Sequence, residues 1–66
     1  MNTGTSAVRL VLDLEPALAE ALAQFLKRAG YLDFREKAAS EGEAYQMQLG
    51  CDRLRGALAS AGIEPR

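Results

Sequence analysis

The sequence predicts a mostly helical α+β fold, in which one N-terminal strand precedes three helices. Apolar residues occupy alternate positions within about residues 7–14: Val8, Leu10, Leu12 and Leu14. This period of two is typical of a strand with one apolar face. No later segment has that pattern, so the strand has no partner within the chain. The simplest partner is the same strand of a second copy, and the pattern therefore predicts a homodimer.

The first helix is predicted over residues 16–29. Pro16 suits its first turn, where the missing N–H costs no hydrogen bond. Lys27 and Arg28 fall in its last turn, where positive charge interacts favourably with the helix dipole. Gly30 is a natural residue to follow the helix.

A short second helix is predicted over residues 34–39, because Asp33 and Glu36 resemble a capping pair at its start. A long third helix is predicted over residues 41–61, where Ser40 and Glu43 match the Ser-x-x-Glu capping box. In that box the Glu43 carboxylate would reach back to the N–H of Ser40. Gly62 is expected to end this helix.

Two glycines, Gly50 and Gly56, interrupt the third helix. Each costs about 1 kcal/mol relative to alanine in a helix interior, so something is expected to pack closely there. Gly50 and Ala57 share a helix face, since they are seven positions apart. The predicted dimer interface therefore comprises Val8, Leu10, Leu12, Leu14, Gly50 and Ala57, although the small-residue face could instead serve a target.

The chain of 66 residues is one small domain, with residues 1–5 expected to form a disordered tail. A domain of this size is marginal without a disulfide, a metal or a partner subunit. Cys51 is the only cysteine and histidine is absent, which excludes an intrachain disulfide and a Cys/His zinc site. Oligomerisation is the remaining means of stabilisation.

The formal net charge of −1 gives the chain no general attraction to nucleic acid or to anionic lipid. A free thiol and the lack of a signal-like or membrane-length apolar segment favour a cytoplasmic protein.

No group of residues in the sequence indicates catalysis, a cofactor, a metal or a small-molecule substrate. Cys51 lies on an apolar stripe and is interpreted as a small core residue, because no histidine is present to hold a thiolate. Four acidic residues lie near the second and third helices: Asp33, Glu36, Glu41 and Glu43. They are interpreted as structural, because two of them are helix-start residues. We therefore expect a protein that is not an enzyme.

Three of the four aromatic residues, Tyr31, Phe34 and Tyr45, surround the second helix and the start of the third. Filling a corner of the core is the favoured interpretation. The alternative assigns Tyr31 and Tyr45 to a partner surface, because tyrosine suits interfaces.

The stretch from Val8 through Pro16 to Leu26 resembles the strand and first helix of ribbon-helix-helix repressors. That resemblance implies paired strands whose outer side chains read the DNA major groove. Carried over to this chain, the nucleic-acid contacts would be Arg9 and Val11.

Several short stretches resemble a family of short uncharacterised proteins from bacterial plasmids and integrated elements. These stretches are Phe25–Tyr31, Asp33–Arg35, Glu43–Tyr45 and Leu54–Gly62. The resemblance implies a bacterial, mobile-element origin.

Together these observations predict a non-enzymatic, dimeric protein-binding module, such as an accessory factor or an inhibitor of a host system. The alternative is a DNA-binding transcriptional regulator of the ribbon-helix-helix type.

Overall fold

Three helices make up the fold of the computed structural model, which describes residues 7–64. Helix α1 covers Pro16–Arg28, α2 covers Tyr31–Lys37 and α3 covers Glu41–Ser60. The long helix α3 packs against both α1 and α2. The predicted tail, residues 1–5, lies outside the described residues.

The predicted N-terminal strand, and with it the α+β class, is wrong. Residues 7–15 precede α1 as a segment without regular secondary structure, and residues 7–64 contain helices but no strand. Within the described chain, no backbone hydrogen bond involves residues 7–14, which we call the arm. The alternating pattern fixes which side chains share a face, but a strand also needs a hydrogen-bonded neighbour, and the described chain supplies none.

Helix α1 begins where the sequence predicts, with Pro16 at its first position. It ends at Arg28, one residue before the predicted end, because Ala29 turns to an extended conformation. The N–H of Ala29 still donates to the carbonyl of Phe25 at 2.9 Å, which closes the last turn.

Helix α2 begins three residues earlier than predicted, since Gly30 rather than Asp33 is its N-cap. Asp33 is the third helical residue, and its carboxylate accepts a hydrogen bond from the N–H of Gly30 at 2.8 Å. A carboxylate in the first turn also interacts favourably with the helix dipole. The chain thus turns from α1 into α2 through two residues, Ala29 and Gly30.

The capping box at the start of α3 is confirmed in part. The hydroxyl of Ser40 accepts the N–H of Glu43 at 3.1 Å, as predicted. The Glu43 carboxylate accepts the N–H of Ala39 at 2.6 Å, one residue before the predicted partner. Both hydrogen bonds satisfy backbone N–H groups that the helix itself leaves unpaired.

The end of α3 is a Schellman motif around Gly62. The N–H of Ile63 donates to the carbonyl of Leu58 at 2.8 Å, and the N–H of Gly62 donates to the carbonyl of Ala59 at 2.9 Å. Gly62 has a φ of 90°, in the left-handed region that favours glycine. The motif brings Ile63 back to pack against the core.

The core is small and rich in alanine. The buried apolar residues of the described chain are Ala19, Ala23, Leu26, Ala44 and Leu58. Alanine lets helices approach closely, but each one removes little apolar surface from water. The Cα atoms extend over 33 × 33 × 14 Å. The fold is therefore flattened along one axis.

We expect Leu26→Ala to lower the free energy of unfolding by about 2–3 kcal/mol, since it empties a buried position of α1. Urea unfolding followed by circular dichroism measures the change. Leu32→Ala is the matched control, because Leu32 is 80% exposed. Equal losses in the two variants would contradict the described core.

We expect Ser40→Ala to destabilise the fold by about 1 kcal/mol, because the N–H of Glu43 loses its acceptor. Ser60→Ala, at the exposed C-terminal end of α3, should change the stability by less than about 0.5 kcal/mol. Thermal unfolding of both variants tests this, and a neutral Ser40→Ala would show that the cap is not formed.

Candidate protein-binding surfaces

A prominent surface feature of residues 7–64 is an apolar cleft of about 730 Å³ between the arm and α3. One wall is formed by residues of the arm: Val8, Leu10, Leu12, Asp13 and Leu14. The other wall and the floor come from helices α3 and α1: Ala19, Gly50, Arg53, Leu54, Ala57, Leu58 and Ala61. The structure therefore brings together all six residues of the predicted dimer interface.

The arm wall of the cleft is largely open to solvent. Val8 is 86% exposed, Leu10 is 80% exposed and Leu12 is 66% exposed. Leu14 differs, because it is partly buried against the core and anchors the arm to α1 and α3. Complete burial of a valine or leucine side chain contributes about 1.5–3 kcal/mol, so covering this wall would be strongly favourable.

The α3 wall is lined by small residues with free space above them. A Cβ atom placed on Gly50 would meet no heavy atom within 4 Å, and the same holds for Gly56 on another face of the helix. Contacts within the described chain therefore do not explain why glycine stands at either position. Since glycine weakens a helix interior, the shallow wall at Gly50 and Ala57 is suited to a contact from outside the chain.

One residue of each charge, Asp13 and Arg53, lines the cleft. Asp13 belongs to the arm and Arg53 to α3, so the two charges lie on opposite walls. Neither side chain takes part in a hydrogen bond or ion pair within residues 7–64. Arg53 is not among the interface residues predicted from the sequence. Its opposite charge on the other wall, Asp13, is forty positions away along the chain, so no local pattern connects the two residues.

A second exposed surface, the aromatic patch, consists of Tyr31, Tyr45 and Leu49. The ring centroids of Tyr31 and Tyr45 are 5.5 Å apart with the planes tilted by 47°, a favourable geometry for an aromatic pair. Tyr45 is 60% exposed, and Leu49 is 57% exposed one helical turn further along α3. Their exposure favours the partner-surface alternative for Tyr45 over the core interpretation. Leu49 was missed, although its spacing from Tyr45 would have placed it on the same face.

A further groove of about 470 Å³ lies among the three helices. Its lining includes Phe25, which is 59% exposed, together with the half-buried Phe34 and Met47. Phe25 therefore lies on an exposed side of α1. The buried positions of that helix are instead Ala19, Ala23 and Leu26, so α1 is apolar on more than one side.

The remaining candidate residues are dispersed. Arg9 and Val11 lie on the arm and are exposed, and the arm has no strand structure within the described chain. Cys51 is half-buried against the core, as expected for a small apolar residue. Asp33 and Glu43 serve as helix caps, and residues 7–64 contain no group of three side chains able to hold a metal ion.

Fold and surfaces together define a small helical protein whose most prominent features are an apolar cleft and an aromatic patch. The chain belongs to DUF7706, a family of unknown function, whose profile matches residues 1–66. No curated protein and no solved structure matches the chain significantly. None of the helices within residues 7–64 is both long and apolar enough to cross a membrane.

We expect Gly56→Ala to stabilise the fold by about 0.5–1 kcal/mol, because alanine is the better helix former and the space above Gly56 is open. Urea unfolding at low protein concentration measures this change. A destabilised Gly56→Ala variant would show that a contact absent from residues 7–64 covers this position.

Proposed function

We propose that this protein is a non-enzymatic protein-binding module that works as a homodimer in the cytoplasm of a bacterium. A mobile genetic element would encode it as an accessory factor or as an inhibitor of a host system. The observation that supports binding most directly is the gathering of exposed apolar side chains into a cleft and an aromatic patch. Larger contiguous apolar patches on a protein surface mark sites of interaction with proteins, membranes or ligands.

The two surfaces suit different roles, because Tyr45 points away from the small-residue face of α3 that lines the cleft. Tyr45 and Gly50 are five positions apart, which is about 140° around a helix. The aromatic patch can therefore contact a target while the cleft is covered. Tyrosine supplies much of the binding energy at protein interfaces, and its rigid ring loses little conformational entropy there.

We assign the target contact to the aromatic patch. The tilted pair of Tyr31 and Tyr45 holds one ring half-buried and leaves the other exposed, so the exposed ring is already oriented. Leu49 adds an aliphatic contact one turn away. A pre-ordered aromatic anchor with an apolar neighbour is a typical centre for a protein interface.

The alternative function, a ribbon-helix-helix DNA regulator, gains no support from the structure. Its DNA contacts depend on paired strands, whereas Arg9 and Val11 lie on an arm that forms no strand. The chain also has a formal net charge of −1, which provides no general attraction to the phosphate backbone.

The Tyr45→Ser variant tests the assignment of the target surface. We expect a tagged wild-type chain to retain a specific protein from a nuclease-treated lysate of its native host. The variant should retain at least about tenfold less of that protein, because a central tyrosine of an interface contributes about 2 kcal/mol or more. Quantitative mass spectrometry of the retained fractions measures the difference.

Leu32→Ser is the matched control, since Leu32 is an 80% exposed apolar residue outside both surfaces. It should retain the protein as well as the wild type does. Equal retention by Tyr45→Ser, or retention that disappears with nuclease treatment, would contradict binding through the aromatic patch.

A further inference from the structure

We infer that a second copy of this chain occupies the cleft, in a two-fold arrangement that sets Asp13 of each copy against Arg53 of the other. This inference rests on the homodimer of the proposed function and specifies its contact surface. It does not depend on the aromatic patch or on any target. Four features of the described residues support it.

The first feature is the small size of the core. Only five apolar residues of the described chain are buried, and three of them are alanines. A chain of 66 residues with so small a core gains little stability from its own interior. Two copies in contact through their clefts would bury the side chains that line them, which adds apolar burial that one copy lacks.

The second feature is the shape of the two walls. The arm wall carries projecting side chains, with Val8, Leu10 and Leu12 all at least 66% exposed. The α3 wall is shallow, because a Cβ atom added to Gly50 would have no neighbour within 4 Å and Ala57 lies on the same face. A projecting wall beside a shallow wall is what a two-fold contact needs, since each copy must offer both halves of the interface.

The third feature is the opposite charge of the two walls. Asp13 and Arg53 line the cleft without a hydrogen bond or an ion pair to each other or to any other residue within 7–64. A two-fold axis through the cleft brings the arm of each copy to the α3 wall of the other. Both charges then gain an opposite partner, in two equivalent pairs, whereas an uncharged ligand would leave both unpaired in an apolar surrounding.

The fourth feature is the arm itself, which ends in an anchor. Leu14 packs against the core, while the preceding residues make no backbone hydrogen bond within the described chain. The arm is therefore held at one end and open along its length to contact from a second copy. The proposed contact is made by side chains, and the arm forms no sheet in it.

Charge reversal followed by mixing tests the arrangement, with sedimentation equilibrium as the measurement. We expect the wild-type chain to dimerise at micromolar concentration. Asp13→Arg and Arg53→Asp should each weaken dimerisation at least about tenfold, because each one places two like-charged pairs in the interface. An equimolar mixture of the two variants should associate within about threefold of the wild type, since both pairs are then restored between the two chains.

The result for the mixture distinguishes an Asp13–Arg53 ion pair between two copies from the same ion pair within one copy. If Asp13 met Arg53 of its own chain, mixing would restore nothing, and the loss would be reversed only in a chain carrying both substitutions. That double variant should dimerise with itself but not with the wild type, because a mixed dimer contains two like-charged pairs. Asp52→Arg and Arg55→Asp are matched controls on α3 that lie outside the cleft, and neither should change dimerisation more than about threefold.

A second measurement applies if the charge reversals reduce the helical content seen by circular dichroism. The wild-type dimer should then weaken as salt is raised, because salt screens exposed and partly exposed ion pairs. The uncharged double variant Asp13→Asn, Arg53→Gln should lose that salt dependence. Three results would overturn the inference: a wild-type chain that is monomeric at about 100 μM, far above a typical micromolar dissociation constant, single variants whose mixture does not recover, or an unchanged salt dependence in the uncharged variant.

The outcomes also distinguish this inference from the proposed target binding. Sedimentation uses the purified chain alone, so failure to find a target has no effect on it. Conversely, Tyr45→Ser should dimerise like the wild type, because Tyr45 lies outside the cleft.

Discussion

The structure depends on one constraint: three helices that meet largely through alanines enclose almost no interior. Helix α3 packs against both α1 and α2, and much of each helix faces solvent. Only five apolar residues of the described chain are buried, and three of these are alanines. The remaining apolar side chains collect at the surface, where they create the cleft and the aromatic patch. The same constraint therefore limits stability and supplies binding surface.

The small core and the exposed apolar surface connect folding with association. A small alanine-rich core contributes little to the free energy of folding, so the chain has little stability of its own to lose. A partner that binds the folded state adds stability that grows with its concentration. In the proposed dimer, the exposed leucines of the arm would join a hydrophobic interior that is completed on association. Leu14 and Leu54 illustrate the point, because each of them contacts the core and also lines the cleft.

Signals confined to a few neighbouring residues could be interpreted from the sequence. Pro16, Ser40 and Gly62 each mark a helix end through local backbone hydrogen bonding, and the structure has helix ends within one residue of those predictions. The start of α2 was misplaced because Asp33 caps Gly30 from inside the helix. The strand was wrongly predicted because pairing depends on a neighbour that the pattern itself cannot supply. The dimer-interface residues do converge on one cleft, but the opposite charges of Asp13 and Arg53 became visible only in three dimensions.

The alternation in the arm therefore specifies a one-sided extended segment and leaves the hydrogen-bonded partner unspecified. That distinction matters for α3, which would serve two surfaces at once in the proposed function. Gly50 and Ala57 face the cleft, and Tyr45 lies about 120–140° around the helix from them. A dimer formed through the cleft would leave both aromatic patches open, one on each copy. Two identical sites held in one body bind a repeated or dimeric target far more tightly than one site does, because the second contact becomes intramolecular. Self-association in this fold would thus raise the affinity of the target surface without adding any contact to it.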